Sequence, residues 1–167
     1  MLTQFSWCSP VGELLIASDG QHLVMCDWLR RRARQTLDTR VQGVYGAPTE
    51  GRDAIIDQTI HQLEAYFAGQ LQSFDLPIKL TGTVFQQQVW QQLQRIPYGQ
   101  TFSYAQLANA LKRPEAVRAV ANANGANALS IVVPCHRVIA SDGSIAGYAG
   151  GVEAKHKLLA LEGVTLS

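Results

Sequence analysis

Apolar and polar positions change rhythm along this 167-residue chain, and the change divides it. Over the first thirty residues the apolar positions come in short runs broken by turn residues. This predicts strands at Thr3–Trp7, Glu13–Ala17 and His22–Trp28, joined through Ser9-Pro-Val-Gly12 and Ser18-Asp-Gly20 as an antiparallel meander. Ile56, Ile60, Leu63 and Phe67 then recur at i, i+4, i+7 and i+11, which predicts an amphipathic helix over 53–67 ended by Gly69. Residues 38–52 read as a polar loop. Phe74–Leu80 reads as an extended edge piece, because Pro77 has no N–H to offer a ladder.

From residue 84 the period is helical. Phe85, Val89, Leu93 and Ile96 predict a helix over 84–95. Ser103 with Gln106 is a capping box opening a helix that runs to about Leu111. Pro114 suits the first position of the next helix, read from Glu115 to Asn124 with Val117, Val120 and Ala121 inward and Arg118 and Asn122 outward. A last helix is expected over 153–162. The expected class is α/β in the α+β sense, with a small antiparallel sheet and one helix over 1–80. A mostly helical unit with a winged-helix-like helix-turn-helix occupies 81–167, and the boundary falls at 81–83.

Composition adds limits. A hydrophobic content of 47% supports a full core, and no apolar run approaches a membrane span. The N-terminus carries no signal-peptide pattern, and three sparse cysteines suit a reducing, cytoplasmic setting. Net charge is +1, unevenly distributed. Residues 1–77 hold six Lys/Arg against nine Asp/Glu, and residues 78–167 hold eight against four. The C-terminal half therefore tolerates an anionic partner. Arg30-Arg-Arg-Ala-Arg34 reads as a solvated loop or short helix.

The chemistry collects in Ile131-Val-Val-Pro-Cys-His-Arg-Val-Ile139, a run that reads as a buried strand. Such a strand has little reason to hold Cys, His and Arg together unless a site lies there. A thiol is mostly protonated at neutral pH, so Cys135 needs a base, and the base needs an orienting group. His136 follows the cysteine directly. Neighbouring side chains diverge in strand and helix alike, so a direct sulfur–imidazole bond is awkward and a water-mediated relay is expected. Glu162 ends the last helix, where its charge opposes the macrodipole, and His136 is the candidate partner. Cys8 and Cys26 read as packing residues. No cysteine or histidine spacing suggests a metal site, and no glycine-rich fingerprint suggests a nucleotide cofactor. The two helices around Lys112-Arg113-Pro114 fit either a DNA-binding helix-turn-helix that touches DNA without reading sequence or a helical hairpin inside an enzyme.

Pro134-Cys-His-Arg-Val138 resembles the active-site signature of the O6-alkylguanine-DNA alkyltransferases. Pro97-Tyr-Gly-Gln-Thr-Phe-Ser-Tyr104, Arg118-Ala-Val120 with Asn122, Asn127, Gly147-Tyr-Ala-Gly-Gly151 and Leu158-Leu-Ala-Leu-Glu-Gly163 resemble further motifs of that family, in its order. The resemblance is strong over 80–165. It implies DNA repair by single-turnover transfer of an alkyl group from O6-alkylguanine, or O4-methylthymine, in duplex DNA to Cys135. No cofactor or metal is implied, and the protein would be monomeric. By resemblance, His136 and Glu162 relay the proton, Asn127 braces the turn, and Arg118 fills the gap left by a flipped nucleotide. Tyr104 would help rotate the nucleotide and contact the base, Val138 would meet the base through its main chain, and backbone N–H groups near Tyr148 and Ala149 would face O6. Ala146 stands where some relatives have glycine, which implies a pocket favouring methyl over bulky groups. A non-catalytic lesion binder of related type is the alternative, and it would lack the cysteine.

Overall fold

A computed structural model describes residues 1–145 and 147–165 of the chain; Ala146 and the pocket-narrowing expectation attached to it lie outside them. Three strands form the expected meander: β1 (Leu2–Ser9), β2 (Gly12–Ser18) and β3 (Leu23–Trp28). The side chains of β2 alternate as a strand should. Leu14 and Ile16 face one apolar cluster, and Leu15 and Ala17 face another. Both faces of the sheet are therefore covered.

Two elements were not expected. The stretch 38–52, read as a polar loop, holds most of α1 (Arg34–Tyr45) and all of β4 (Pro48–Glu50). Helix α1 buries only Leu37 and Val41, a single i, i+4 pair, and Ala33 caps it without a side-chain bond. One pair gives no periodic stripe. Its N-terminus is held instead by Arg34, which bonds Asp38 at 2.9 Å and Asp27 at 3.1 Å. Strand β4 pairs parallel with β1. The sheet expected to be antiparallel is thus mixed, in the order β3-β2-β1-β4, with two helices beside it rather than one.

Helix α2 (Ala54–Phe67) starts on Asp53, whose carboxylate accepts from the Ile56 N–H at 2.8 Å. Tyr66, not Phe67, completes its fully buried stripe. The segment 74–80 is extended as expected, and Ile78 bridges to Leu23 at the β3 edge. Leu129 bridges to Cys26 on the same strand, so β3 reaches directly into the C-terminal half of the chain.

There, α3 (Val84–Leu93) opens with a capping box of Thr83 and Gln86. After β5 (Phe102–Ser103), the expected Ser103–Gln106 box opens α4 (Tyr104–Ala110). Helix α5 (Val117–Gly125) begins three residues later than Pro114 suggested, because Arg113–Ala116 closes as a turn with the Ala116 N–H on the Arg113 carbonyl at 2.9 Å. Val117 is consequently exposed rather than inward, while Val120, Ala123 and Asn124 are buried. The indole of Trp90 on α3 donates to the Ala123 carbonyl at 2.8 Å and ties the hairpin to the core. A two-residue β6 (Val138–Ile139) pairs with β5, and α6 (Val152–Leu161) closes the chain. No helix among the described residues is long and apolar enough to cross a membrane.

Candidate active site

Most of the segment read as a strand is instead a series of tight turns, and only Val138–Ile139 are strand. Pro134 sits at φ −80°, ψ 64°, and the Cys135 N–H bonds the Val133 carbonyl at 2.8 Å. This is an inverse γ-turn, to which the proline ring's fixed φ is suited. Upstream, Ile131 adopts φ 71°, a left-handed conformation that costs a β-branched residue about 1–3 kcal/mol. Residues Cys135–Arg137 then form one turn of 3₁₀-helix. With about three residues per turn, consecutive side chains point some 120° apart. Cys135 and His136 therefore face different surroundings, as their adjacency requires.

His136 turns inward and is fully buried. Its Nε2 lies 2.7 Å from Glu162 Oε2. The same carboxylate accepts from the Tyr66 hydroxyl at 2.6 Å, from Arg137 at 2.8 and 3.1 Å, and from the Gly99 N–H at 3.4 Å. Burial alone would push Glu162 up, but the bonds from His136, Arg137 and Tyr66 outweigh it and hold the carboxyl near a pKa of about 2. Glu162 is thus a carboxylate that can only accept, so His136 Nε2 carries a proton. Burial lowers the pKa of His136 against the pull of Glu162, so the ring is neutral and its Nδ1 is a free lone pair. Among the described residues that buried Nδ1 has no hydrogen-bond partner, and no hydrogen bond joins His136 to the Cys135 sulfur.

Cys135 faces the other way. It is 4% exposed, at the base of a cleft of about 310 Å³ whose lining includes Tyr104, Asn127, Tyr148 and Ala149. Burial pushes its thiol up; the Asn127 amide and the Lys155 ammonium oppose this in part. Asn127 donates to the Val133 carbonyl at 2.9 Å and accepts from the Leu129 N–H at 2.9 Å, so it spans the turn beneath the cysteine. Burial, with Cys135 beside it, raises the pKa of Tyr104, keeping its hydroxyl protonated in the cleft.

The structure does not bring every expected residue to this cleft. Arg118 and Asn122 share the exposed face of α5, but of the two only Asn122 lines the cleft. Val138 is buried below it, and its carbonyl accepts from Lys155 Nζ at 2.6 Å. Four contributors were not expected. Tyr66 and Arg137 complete the Glu162 cluster, Lys155 is a fully buried ammonium beneath the active-site loop, and Arg31 reaches the cleft wall from the sheet side. Arg31 donates to both oxygens of Asp27 at 3.0 Å and to the Gly125 carbonyl at 2.7 Å. The only available signal for Tyr66 was a hydroxyl inside an apolar stripe. Among the described residues, no group of three or more His, Cys, Asp or Glu could hold a metal ion.

Two family models cover nearly the whole chain. The model described as "6-O-methylguanine DNA methyltransferase, ribonuclease-like domain" matches residues 7–80, and the one described as "6-O-methylguanine DNA methyltransferase, DNA binding domain" matches residues 84–164. A methylated-DNA–protein-cysteine methyltransferase of Mycolicibacterium paratuberculosis is 53% identical over 154 residues, 92% of this chain and 88% of the relative. One of Methanosarcina acetivorans is 40% identical over 156 residues, 93% and 94% of the two chains. The crystal structure of the Mycobacterium tuberculosis O6-methylguanine methyltransferase superposes with a TM-score of 0.83 at 40% identity, covering 97% of this chain and 93% of that one. The OGT of the same organism in complex with DNA gives 0.82 at 40% identity, covering 96% and 91%.

Proposed function

The chain belongs to the 6-O-methylguanine DNA methyltransferase family, and on that premise we infer that it is a DNA-repair methyltransferase that moves the alkyl group of a damaged base onto a cysteine of its own. The acceptor is Cys135, and the lesion is O6-alkylguanine in duplex DNA. One observation carries this reading: the sulfur opens on the cleft while the neighbouring imidazole, locked by Glu162, keeps a bare Nδ1. A non-catalytic lesion binder would need none of these groups.

The reaction proceeds as follows. A base stacked in a duplex cannot reach a cysteine at the bottom of a cleft, so the damaged nucleotide is flipped out, at a cost of a few kcal/mol. Arg118, on the exposed face of α5, occupies the space it leaves. His136 Nδ1 draws the thiol proton through a bridging water, and Glu162 stabilises the imidazolium that forms. The thiolate attacks the alkyl carbon; an S–C bond forms as the C–O6 bond breaks. The departing guanine takes a proton from the Tyr104 hydroxyl, and the proton held on His136 finally replaces it. The net change converts thiol and alkylguanine to thioether and guanine. A thioether has no route back, so each molecule acts once. Backbone N–H groups near Tyr148 and Ala149 meet O6 in this reading, which their place in the cleft lining supports. Asn127 keeps the turn in place, and Val138 supports the floor through its carbonyl.

In this reading the chain divides into two domains at residues 81–83; the ends of the matched segments, at residue 80 and residue 84, support it. The protein works as a monomer in the cytoplasm.

The experiment is direct. Incubation with duplex carrying O6-methylguanine is expected to add one methyl mass to the tryptic peptide containing Cys135 and to no other. A methyl on another peptide, or none, overturns the assignment. Tyr104→Phe is expected to slow transfer by about 10²-fold or more, the usual contribution of a positioned acid. Single-turnover rates on the same duplex check this, and an unchanged rate removes Tyr104 as the proton donor.

A further inference from the structure

Gly147, Tyr148 and Ala149 form part of the cleft wall, and the loop 147–151 that carries them rests on a residue of the N-terminal sheet. Trp28, the last residue of β3, is 3% exposed. Its ring meets Tyr148 edge-on, with centroids 5.9 Å apart at 70°. Tyr148 in turn stands edge-on to His136 at 6.5 Å. Gly150 lies against the indole so closely that an added Cβ would sit 2.5 Å from Cε2. On the indole's outer edge, a Cβ at Gly12 would come within 3.3 Å of Cε3 and Cζ3. The ring therefore packs directly against the loop at Gly150, with Gly12 of the sheet near its other edge. The Trp28 carbonyl accepts from Arg34 at 3.0 Å, so the strand end is also fixed. On the loop's other side, Lys155 bonds the Gly147 carbonyl at 3.3 Å, and the Gly151 N–H bonds the Tyr148 carbonyl at 3.0 Å.

We propose that Trp28 is a positioning residue that sets how large an alkyl group the Cys135 cleft admits, acting by holding the loop 147–151 at a fixed distance from the sulfur. The proposal rests on Cys135 being the alkyl acceptor. Packed interiors transmit a change of volume rather than absorb it, so a smaller side chain at 28 gives the loop room to withdraw from the cleft. A methyl on Gly150 does the reverse. It meets the indole at 2.5 Å, and because that ring is buried and its strand end is held by Arg34, the loop gives way.

The two substitutions therefore shift selectivity in opposite directions, which a general loss of stability does not do. Transfer rates to Cys135 are measured under single-turnover conditions, by peptide mass, from duplexes carrying O6-benzylguanine or O6-methylguanine. In Trp28→Leu the benzyl-to-methyl rate ratio is expected to rise about fivefold or more, within the range that one or two methylenes of pocket space command. In Gly150→Ala it is expected to fall by a similar factor. Trp28→Phe, which keeps an aromatic wedge, is expected to stay near the parent ratio, and the Trp28→Leu/Gly150→Ala double variant to return toward it. Ratios that stay within about twofold of the parent in both single variants, whatever happens to the absolute rates, overturn the proposal. Gly150→Ala alone decides the matter if Trp28→Leu does not fold. Failure of the parent protein to label Cys135 from either duplex would instead remove the premise.

Discussion

Replacing Cys135 by serine is expected to abolish alkyl transfer while leaving affinity for lesion-bearing duplex within about threefold of the parent, a change of about 0.7 kcal/mol. The substitution changes one atom at a position that is 4% exposed. Shape is kept and the Glu162 cluster is untouched. The acceptor, however, becomes a hydroxyl, which is far less acidic than a thiol and a weaker nucleophile. The imidazole beside it is neutral, and its pKa lies below the ordinary histidine value because burial disfavours the charged ring. So weak a base can draw a proton from a thiol whose product thiolate is trapped by irreversible alkylation. It cannot do so usefully from an alcohol. Binding depends instead on the rest of the cleft lining and on the outer face of α5, where an oxygen in place of the sulfur changes little. Titration of fluorescent duplex and the Cys135 peptide mass give the two readouts. Retained transfer would show that another residue accepts the alkyl group; loss of binding together with transfer would show that the sulfur is part of the docking surface.

The divergence of Cys135 and His136 was legible in the sequence, because two adjacent side chains cannot share one direction. That Glu162 needed a partner was legible from its place at the end of α6. The partners beyond His136 were not. Tyr66 stands 96 positions from Glu162 along the chain. Its hydroxyl lay hidden in an apolar stripe where an aromatic ring has a sufficient reason to be. Arg137 was visible as a charge in an apolar run, but nothing local pointed it at Glu162 and the Ile96 carbonyl. Both belong to contacts that tertiary packing alone creates.

The fold divides in the same way. Strands and helices with several turns of pattern were placed within a few residues. Helix α1 offered one buried pair, and β4 offered three residues whose parallel partner lies 46 positions upstream. The start of α5 was misplaced because Pro114 is as acceptable in a turn as at a helix start. The sequence left the role of the N-terminal sheet open beyond packing. Yet β3 delivers Trp28 to the active-site loop, Arg31 follows close behind it, and Cys26 pairs with the stretch that carries Asn127. No local pattern marks such a role, because it depends on which strand edge the second half of the chain meets.

Glu162→Gln is expected to cost about 3–5 kcal/mol of stability at pH 7, the usual consequence of leaving a buried charge without its partner. That is a large part of a typical domain's total. Arg137 is only 8% exposed in its side chain and loses its charged partner, and an amide NH2 in place of Oε1 would face the Arg137 and Gly99 N–H donors. The dependence on pH separates this cause from a packing defect. The carboxyl of Glu162 is held down to about 2 in the fold, against an ordinary value of 4.5. A carboxylate lowered by folding contributes stability that is complete above its unfolded value and is lost as pH falls through its folded one. The parent should therefore lose this contribution between pH 4.5 and 2, while the amide variant has none to lose, and the gap between their urea-unfolding free energies should narrow across that window. A gap of constant size from pH 7 to pH 2 would show that charge at Glu162 is not what holds the cluster together. Transfer should fall as well, by about 10²-fold or more, since an amide neither stabilises the imidazolium nor enforces the tautomer that leaves Nδ1 bare. A variant that loses stability but keeps its rate would mean that the cluster is purely structural and that Cys135 is deprotonated by another route.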